Sequence, residues 1–267
     1  MVIAELKRQR MELQTPEEQE EYRTGCMIKA RSAFVKVRDW INEGENDGWR
    51  PIPYPQNPAI TLWEKQDPNH PKLYLPKAKG LIRSAMDTNE LRNRNDDIGT
   101  RLARMLCDYN VTTRTDWEQK DLADIRLLQE FSPLKPREPT DPHMAIIWTH
   151  IKTPPMIADR DFVSLQFAFG KRSKRHTAYS DWWVVHTHTT HPSRPVREDP
   201  VRGHLITGNR IRNTASGAEL VTVAYVDPKG WVDPNVAKIY KTKLAERVEF
   251  YDDLIFNGKL GLLYPIV

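Results

Sequence analysis

Apolar and polar positions follow two different periods along the chain, one typical of helices and one typical of strands. Thr15 opens the string "TPEE", a capping box with Pro16 at the first helical position and Glu18 three residues after the cap. This pattern predicts a helix over 16–42. The string "RPIPYPQNP" then ends any helical continuation, because proline removes a backbone donor and clashes with the preceding turn.

After residue 59 the apolar period falls toward two, which is typical of strands. "DTNELRNRNDDIGTRLARML" interrupts this region and predicts a weakly amphipathic helix over 87–106. From 122 onward no connection is long enough for a helical crossover, so the sequence predicts one large antiparallel sheet. The predicted strands cover 59–66, 72–84, 122–131, 144–152, 161–169, 177–190, 202–212 and 218–227.

The last long periodic segment, 233–257, predicts a helix of roughly 37 Å, enough to cross a whole sheet. Its apolar stripe is Val236, Ile239, Tyr240, Leu244, Val248, Tyr251, Leu254 and Ile255. A chain of 267 residues buries a substantial core, and we expect one globular unit of the α+β class. Within it, 1–50 forms an N-terminal helical segment packed on the domain 51–267.

Charge and composition narrow the class of protein only slightly. The net charge of +4 and the isoelectric point of about 8.9 permit weak attraction to anionic surfaces, and we expect no nucleic-acid partner. No run approaches the length of a membrane span, and the first residues lack the apolar core of a secretory signal. With only two cysteines, the sequence favours a cytoplasmic protein with reduced thiols.

The string "HTHTTHP" raises the alternative of a zinc-dependent hydrolase that uses His186, His188 and His191. In a strand the first two share a face, as two zinc ligands would. A catalytic zinc also needs an open position, partners for the rings and usually a carboxylate base, and none stands at a recognisable spacing. We also find no nucleophile elbow and no phosphate-binding glycine loop. We therefore expect a binding cavity, with no enzyme activity, cofactor or metal.

Three strings, in the same order as in the family, resemble the StAR-related lipid transfer (START) domains. They are "RDFVSLQ" at 160–166, "HPSRPVREDPVRGHLITG" at 191–208 and "VAYVDPKGW" at 223–231, the last directly before the predicted C-terminal helix. The resemblance implies a helix-grip fold, in which a curved antiparallel sheet wraps the C-terminal helix around one lipid tunnel. It also implies a monomeric carrier that takes one lipid through water and touches membranes transiently as a peripheral protein.

A closed cavity suits such cargo, because each exposed methylene of a lipid costs about 0.8 kcal/mol in water. In the family's phosphatidylcholine carrier an Arg and an acid flank a Trp and reach the headgroup. "RTDWE" places Arg114 and Glu118 at matching positions. The same resemblance implies cavity-wall aromatics at Trp148 and Phe162, whereas Leu205 stands where the carrier has a third ring. We therefore expect a phospholipid such as phosphatidylcholine.

Ceramide or sterol remains the alternative cargo, as does a lipid sensor of the same fold. Sterol-binding members carry an inward Arg at the position of Gln166, and the amide here suits a hydroxyl or an ester carbonyl instead. The resemblance also implies lipid contacts for Ser164, Tyr240 and Leu244. The loop "KTPPMIAD" presents Met156 and Ile157 as a gate through which the lipid would pass.

Overall fold

The computed structural model describes residues 15–68, 70, 73–83, 97–109, 122–131, 143–153, 157–172, 179–229 and 234–256. Side chains are described throughout these ranges except at 172, 179, 180 and 234–241. Among these residues, no helix combines the length and the apolar character that crossing a bilayer requires.

Ten strands of the described chain form one sheet, with helices at both ends of the sequence and a third helix after β3. The helices are α1 (Pro16–Asn42), α2 (Ile98–Cys107) and α3 (Pro234–Phe256). The strands are β1 (Arg50–Ile52), β2 (Thr61–Gln66), β3 (Tyr74–Arg83), β4 (Leu122–Phe131), β5 (His143–Ile151), β6 (Arg160–Arg172), β7 (Tyr179–His188), β8 (Val201–Arg202), β9 (His204–Thr214) and β10 (Gly217–Asp227).

The sheet runs in the order β1-β2-β3-β10-β9-β7-β6-β5-β4, so the first three strands join the last strand of the chain. The predicted antiparallel sheet is confirmed: every pair in this path is antiparallel, and β8 alone runs parallel, to the start of β6. The short strands β1 and β8 carry no alternating pattern and were not expected.

Capping explains where two of the helices begin. The Thr15 hydroxyl accepts from the Glu18 amide at 3.2 Å, and the Glu18 carboxylate accepts from the Thr15 amide at 2.8 Å, which confirms the predicted capping box. Helix α2 begins at Ile98 because Asp97 accepts from the Thr100 amide at 2.7 Å. The predicted helix over 87–106 is thus confirmed for its second half, and 87–96 lie outside the described residues.

Helix α1 covers one face of the sheet, which we call the outer face. Phe34 meets the rings of Phe169 and Trp183 edge to face at 5.0 and 5.1 Å. Val37 is fully buried above Gly208, where a Cβ would lie 2.1 Å from the Val37 Cγ1 atom. Only glycine at 208 lets the helix approach the strand this closely.

Helices α2 and α3 pack on the opposite face, which we call the inner face. Their side chains form a dry cluster with alternate residues of the strands, including Ala168, Val184 and Ile211. Among the described side chains of α3, the buried ones are Leu244, Ala245, Val248, Tyr251, Leu254 and Ile255, which confirms the second half of the predicted stripe.

Polar contacts fasten the end of α3 to the first strands. Glu249 accepts hydrogen bonds from the Tyr54 hydroxyl at 3.1 Å and from the Asn57 amide at 3.2 Å. Asp252 accepts from the Arg83 guanidinium at 2.6 Å and from the Arg83 backbone amide at 2.7 Å. This half of α3 is therefore held against the first strands of the sheet by packing and by charge-assisted hydrogen bonds.

Candidate functional site

A belt of polar side chains crosses the inner face beside the dry cluster. Gln166 of β6 lies opposite His186 of β7, which lies opposite Thr207 of β9. On the neighbouring rung Asn209 of β9 lies opposite Thr222 of β10. Directly opposite residues in antiparallel strands share a face, so these five side chains form one continuous band, which we call the polar belt.

The polar belt is deeply buried for groups that need hydrogen bonds. Gln166 is 1% exposed, Thr222 is 4% exposed and Asn209 is 9% exposed. The Nε2 atom of Gln166 is buried and, among the described residues, has no hydrogen-bond partner. A buried donor left without a partner costs about 1–3 kcal/mol, so its presence calls for an explanation.

Three more of the candidate lipid contacts lie on this inner face, toward one end of the sheet. Ser164 is buried and lies opposite His188. The Phe162 ring occupies the space that Gly203 leaves, where a Cβ would lie 2.4 Å from the Phe162 ring. Leu205 is half-buried and shares the alternation of Ile211, a member of the dry cluster. Together with Gln166, these residues continue the inner-face surface beyond the dry cluster.

Trp148 lies on the other face of the sheet, which corrects its expected place beside Phe162. It pairs with Val163 and packs with Met144 and Ile146 in the cluster that α1 covers. Its indole N–H donates to Asp161 at 2.8 Å. The reason is register: Ile147 is the β5 residue opposite Ser164, so its neighbour Trp148 must point away.

Of the six remaining candidate residues, only Leu244 and Ile157 have described side chains. Arg114, Glu118 and Met156 lie outside the described residues, as does the side chain of Tyr240. The α3 residue Leu244 belongs to the dry cluster. Ile157 of the predicted gate is half-buried, and its carbonyl accepts a hydrogen bond from the Thr153 hydroxyl.

The three histidines of the predicted zinc site do not converge. His186 belongs to the polar belt, whereas His191 is buried beyond the strand with its Nδ1 atom 2.7 Å from the Ser193 hydroxyl. The His188 ring stacks on His204 at 4.6 Å, nearly parallel. In the described part of the chain, no three His, Cys, Asp or Glu side chains are grouped to hold a metal ion.

The stacked histidines favour their neutral forms. Burial lowers the pKa of His188, and Lys29, His204 and Lys229 lower it further, although a hydrogen bond with the Leu205 backbone opposes them. Burial likewise lowers the pKa of His204, again with Lys229 nearby, while Asp227 acts the other way. Two stacked imidazoles beside two lysines resist protonation, because each added proton places a further positive charge next to charges of the same sign.

Sequence reasoning overlooked Thr207, Asn209 and Thr222 as members of the belt. The signal was present, because in "ITGNRI" and "LVTVA" a short polar residue stands at positions that alternate with the apolar ones. It was not interpretable without the register, since either face of a doubly covered sheet is buried.

The order and pairing of these elements define a helix-grip fold of the StAR-related lipid transfer type. The crystal structure of human STARD10 has a TM-score of 0.63 to this chain at 15% identity, covering 87% of this chain and 79% of that one. Human StAR-related lipid transfer protein 5 gives 0.59 at 14% identity, covering 88% and 96%.

The lipid transfer and protein localization domain of human StarD13 gives a TM-score of 0.56 at 18% identity, covering 83% of this chain and 94% of that one. No family model matches the sequence, and no curated protein matches it. At these identities the likeness establishes the fold.

Proposed function

We propose that this protein binds one lipid molecule against the inner face of its sheet, beneath α3, and carries it between membranes without acting as an enzyme. The names of two similar structures describe lipid transfer, and the shared fold supports the same use here. The half of the inner face beyond the dry cluster combines apolar side chains with the polar belt. This combination matches a ligand with a long apolar body and a polar group.

The buried amide of Gln166 is the observation that carries the proposal. Its Nε2 donor, which has no hydrogen-bond partner among the described residues, sits among the hydrogen-bonding side chains of the polar belt, at 1% exposure. A bound lipid with a carbonyl, hydroxyl or phosphate oxygen at that point would accept its hydrogen bond and remove the cost of burial. The belt then selects a polar group, and the surrounding apolar wall accepts the chains.

Within this proposal we favour a phospholipid such as phosphatidylcholine. The support comes from "RTDWE", where Arg114 would bind a phosphate through two parallel hydrogen bonds and Glu118 would face the headgroup amine. Replacement of Arg114 by Ala should then lower transfer of phosphatidylcholine between vesicles. Equal transfer by this variant and the parent would leave ceramide or sterol as the cargo.

The decisive experiment is mass spectrometry of lipids extracted from the purified protein. We expect one lipid per protein chain in the parent and a marked loss of it in Gln166→Leu. The matched control is Gln129→Leu on the edge strand β4, a half-buried position outside the polar belt, which should retain its lipid. A parent protein free of lipid, or equal loss in both variants, would contradict the proposal.

A further inference from the structure

Trp148, which was expected in the cavity, instead contacts an arginine on the outer face. The Arg194 guanidinium lies 3.8 Å from the centre of the Trp148 ring, close enough for a cation–π contact. Arg126 approaches the same ring at 5.9 Å. This cluster lies on β4, on β5 and on the loop 191–200, which we call the arginine loop.

Hydrogen bonds hold both ends of the arginine loop. His191 is buried, and its carbonyl accepts from the Arg194 amide at 3.0 Å. The Arg194 carbonyl in turn accepts from Arg202 at 3.2 Å. Val201 donates its amide to the Asp159 carbonyl at 2.9 Å, which ties the end of the loop to the segment that carries Ile157. The end of the arginine loop is therefore joined to Asp159, two residues after Ile157.

The carboxylates that surround Arg194 are already engaged. Asp161 accepts two hydrogen bonds from Arg202, at 2.7 and 2.8 Å, and one from Trp148. Asp124 pairs with Arg126 at 2.8 Å. Asp159 pairs with His150 at 2.9 Å. Each of these carboxylates therefore has another partner, and none of them makes an ion pair with Arg194.

Arg194 and Arg197 make no ion pair with any described carboxylate, including Glu198 and Asp199, which follow them in sequence. Burial lowers the pKa of Arg194, and Arg126 and Arg197 lower it further, whereas Asp124 and Asp161 raise it. Between the two arginines Val196 is 68% exposed, more than any other large apolar side chain of the described chain. An exposed apolar residue between unpaired cations matches a surface with phosphates above an apolar layer.

We propose that the arginine loop docks on an anionic membrane surface, with Arg194 and Arg197 on lipid phosphates and Val196 inserted between headgroups. The inference rests on the proposed function only in that a lipid carrier has to meet membranes. It assigns the contact to the outer-face loop beside the gate.

The test compares binding to phosphatidylcholine vesicles with and without phosphatidylserine, measured by co-sedimentation. Each arginine near an anionic surface contributes about fivefold in affinity, so R194Q/R197Q should bind the anionic vesicles about 30-fold more weakly. Val196→Ser should lose roughly fivefold on either vesicle. The matched control R31Q/R212Q removes two exposed arginines elsewhere, on α1 and near the far end of β9, and should bind like the parent.

Equal losses in the two double variants, or equal binding of the parent to both vesicles, would overturn the inference. Bound lipid is measured in the same preparations by mass spectrometry. A parent that prefers anionic vesicles but carries no lipid would contradict the proposed function and leave the docking surface standing. Conversely, a lipid-loaded parent that shows no preference would remove the docking surface alone.

Discussion

The two faces of the sheet differ in how completely their buried polar groups are satisfied. On the outer face the Asp161 carboxylate is enclosed by Arg202 and Trp148, and the Lys77 ammonium donates to the carbonyls of Trp40 and Glu43 at 3.1 and 2.7 Å. On the inner face Gln166 is just as deeply buried, yet its amide nitrogen has no partner among the described residues.

This difference assigns a structural role to the outer face and a binding role to the inner face. A face that closes all its hydrogen bonds needs nothing further from its surroundings. A face that buries a donor without a partner is destabilised by that donor, and a bound molecule that accepts the hydrogen bond removes the destabilisation. Natural sequences keep such local conflicts chiefly where they serve a site.

The largest loss of stability should come from replacing Asp161 on the outer face. Replacing it by Ala leaves the Arg202 guanidinium buried without its carboxylate, and we expect the free energy of unfolding to fall by about 3–5 kcal/mol. Urea denaturation measures this loss. The control is Asp181→Ala, because its partner Arg210 lies at a more exposed position and the expected loss is about 1 kcal/mol. Similar losses in both variants would show that the outer pair is not specially enclosed.

The free energy of unfolding should change in the opposite direction when the buried donor of the inner face is removed. In protein stripped of lipid, Gln166→Leu should raise the free energy of unfolding by about 1 kcal/mol, because an unsatisfied donor is replaced by apolar atoms. The same change at Gln129 should leave stability nearly unaltered, since that side chain is half-buried at an edge strand. Destabilisation by Gln166→Leu would mean that the amide is satisfied within the protein.

A loss of stability of similar size is expected at the start of α1. Thr15→Ala removes the acceptor for the Glu18 amide and should cost about 1 kcal/mol of stability. Thermal unfolding followed by circular dichroism measures it. Thr15→Ser keeps the acceptor and serves as the control. If both substitutions act alike, packing of α1 on the outer face, and not its cap, fixes the helix.

The pH dependence of His188 and His204 should give the smallest change. Both folded pKa values lie below the ordinary value of 6.5, so the unfolded chain binds protons first as the pH falls. Stability should therefore be full above 6.5 and decline as the pH drops from there through the folded pKa. His188→Gln should flatten this decline in a series of thermal melts. A decline of the same steepness in the variant would assign it to other groups.

The long elements were readable from sequence because their apolar periods are pronounced. The limits of α1 and the sheet-forming strands followed from capping, prolines and alternation. The face assignment failed at Trp148, because 144–148 are all buried and no polar residue marks a direction. The same ambiguity affects 162–168, where Ser164 and Gln166 are the polar exceptions and both belong to the site side.

The contacts of the arginine loop were beyond sequence reasoning for a different reason. Arg194 meets Trp148 only because β5, β6 and β8 lie side by side, and such pairings depend on topology more than on local pattern. The resemblance supplied the order of the motifs. It did not supply the side of the sheet on which each one ends.

The pairing of β3 with β10 has a consequence for how the chain acquires its structure. Ala78 of β3 lies opposite Thr222 of β10. The hairpin of β2 and β3 therefore gains its second neighbouring strand only after most of the chain has been made. Contacts this distant in sequence slow folding into the range of milliseconds to seconds. During synthesis β3 leaves the ribosome long before its partner, with an unpaired edge open to wrong strands. A chain cut before Gly217 would lack β10, and the edge of β3 would stay unpaired. Pairing of β10 with β3 therefore completes the sheet.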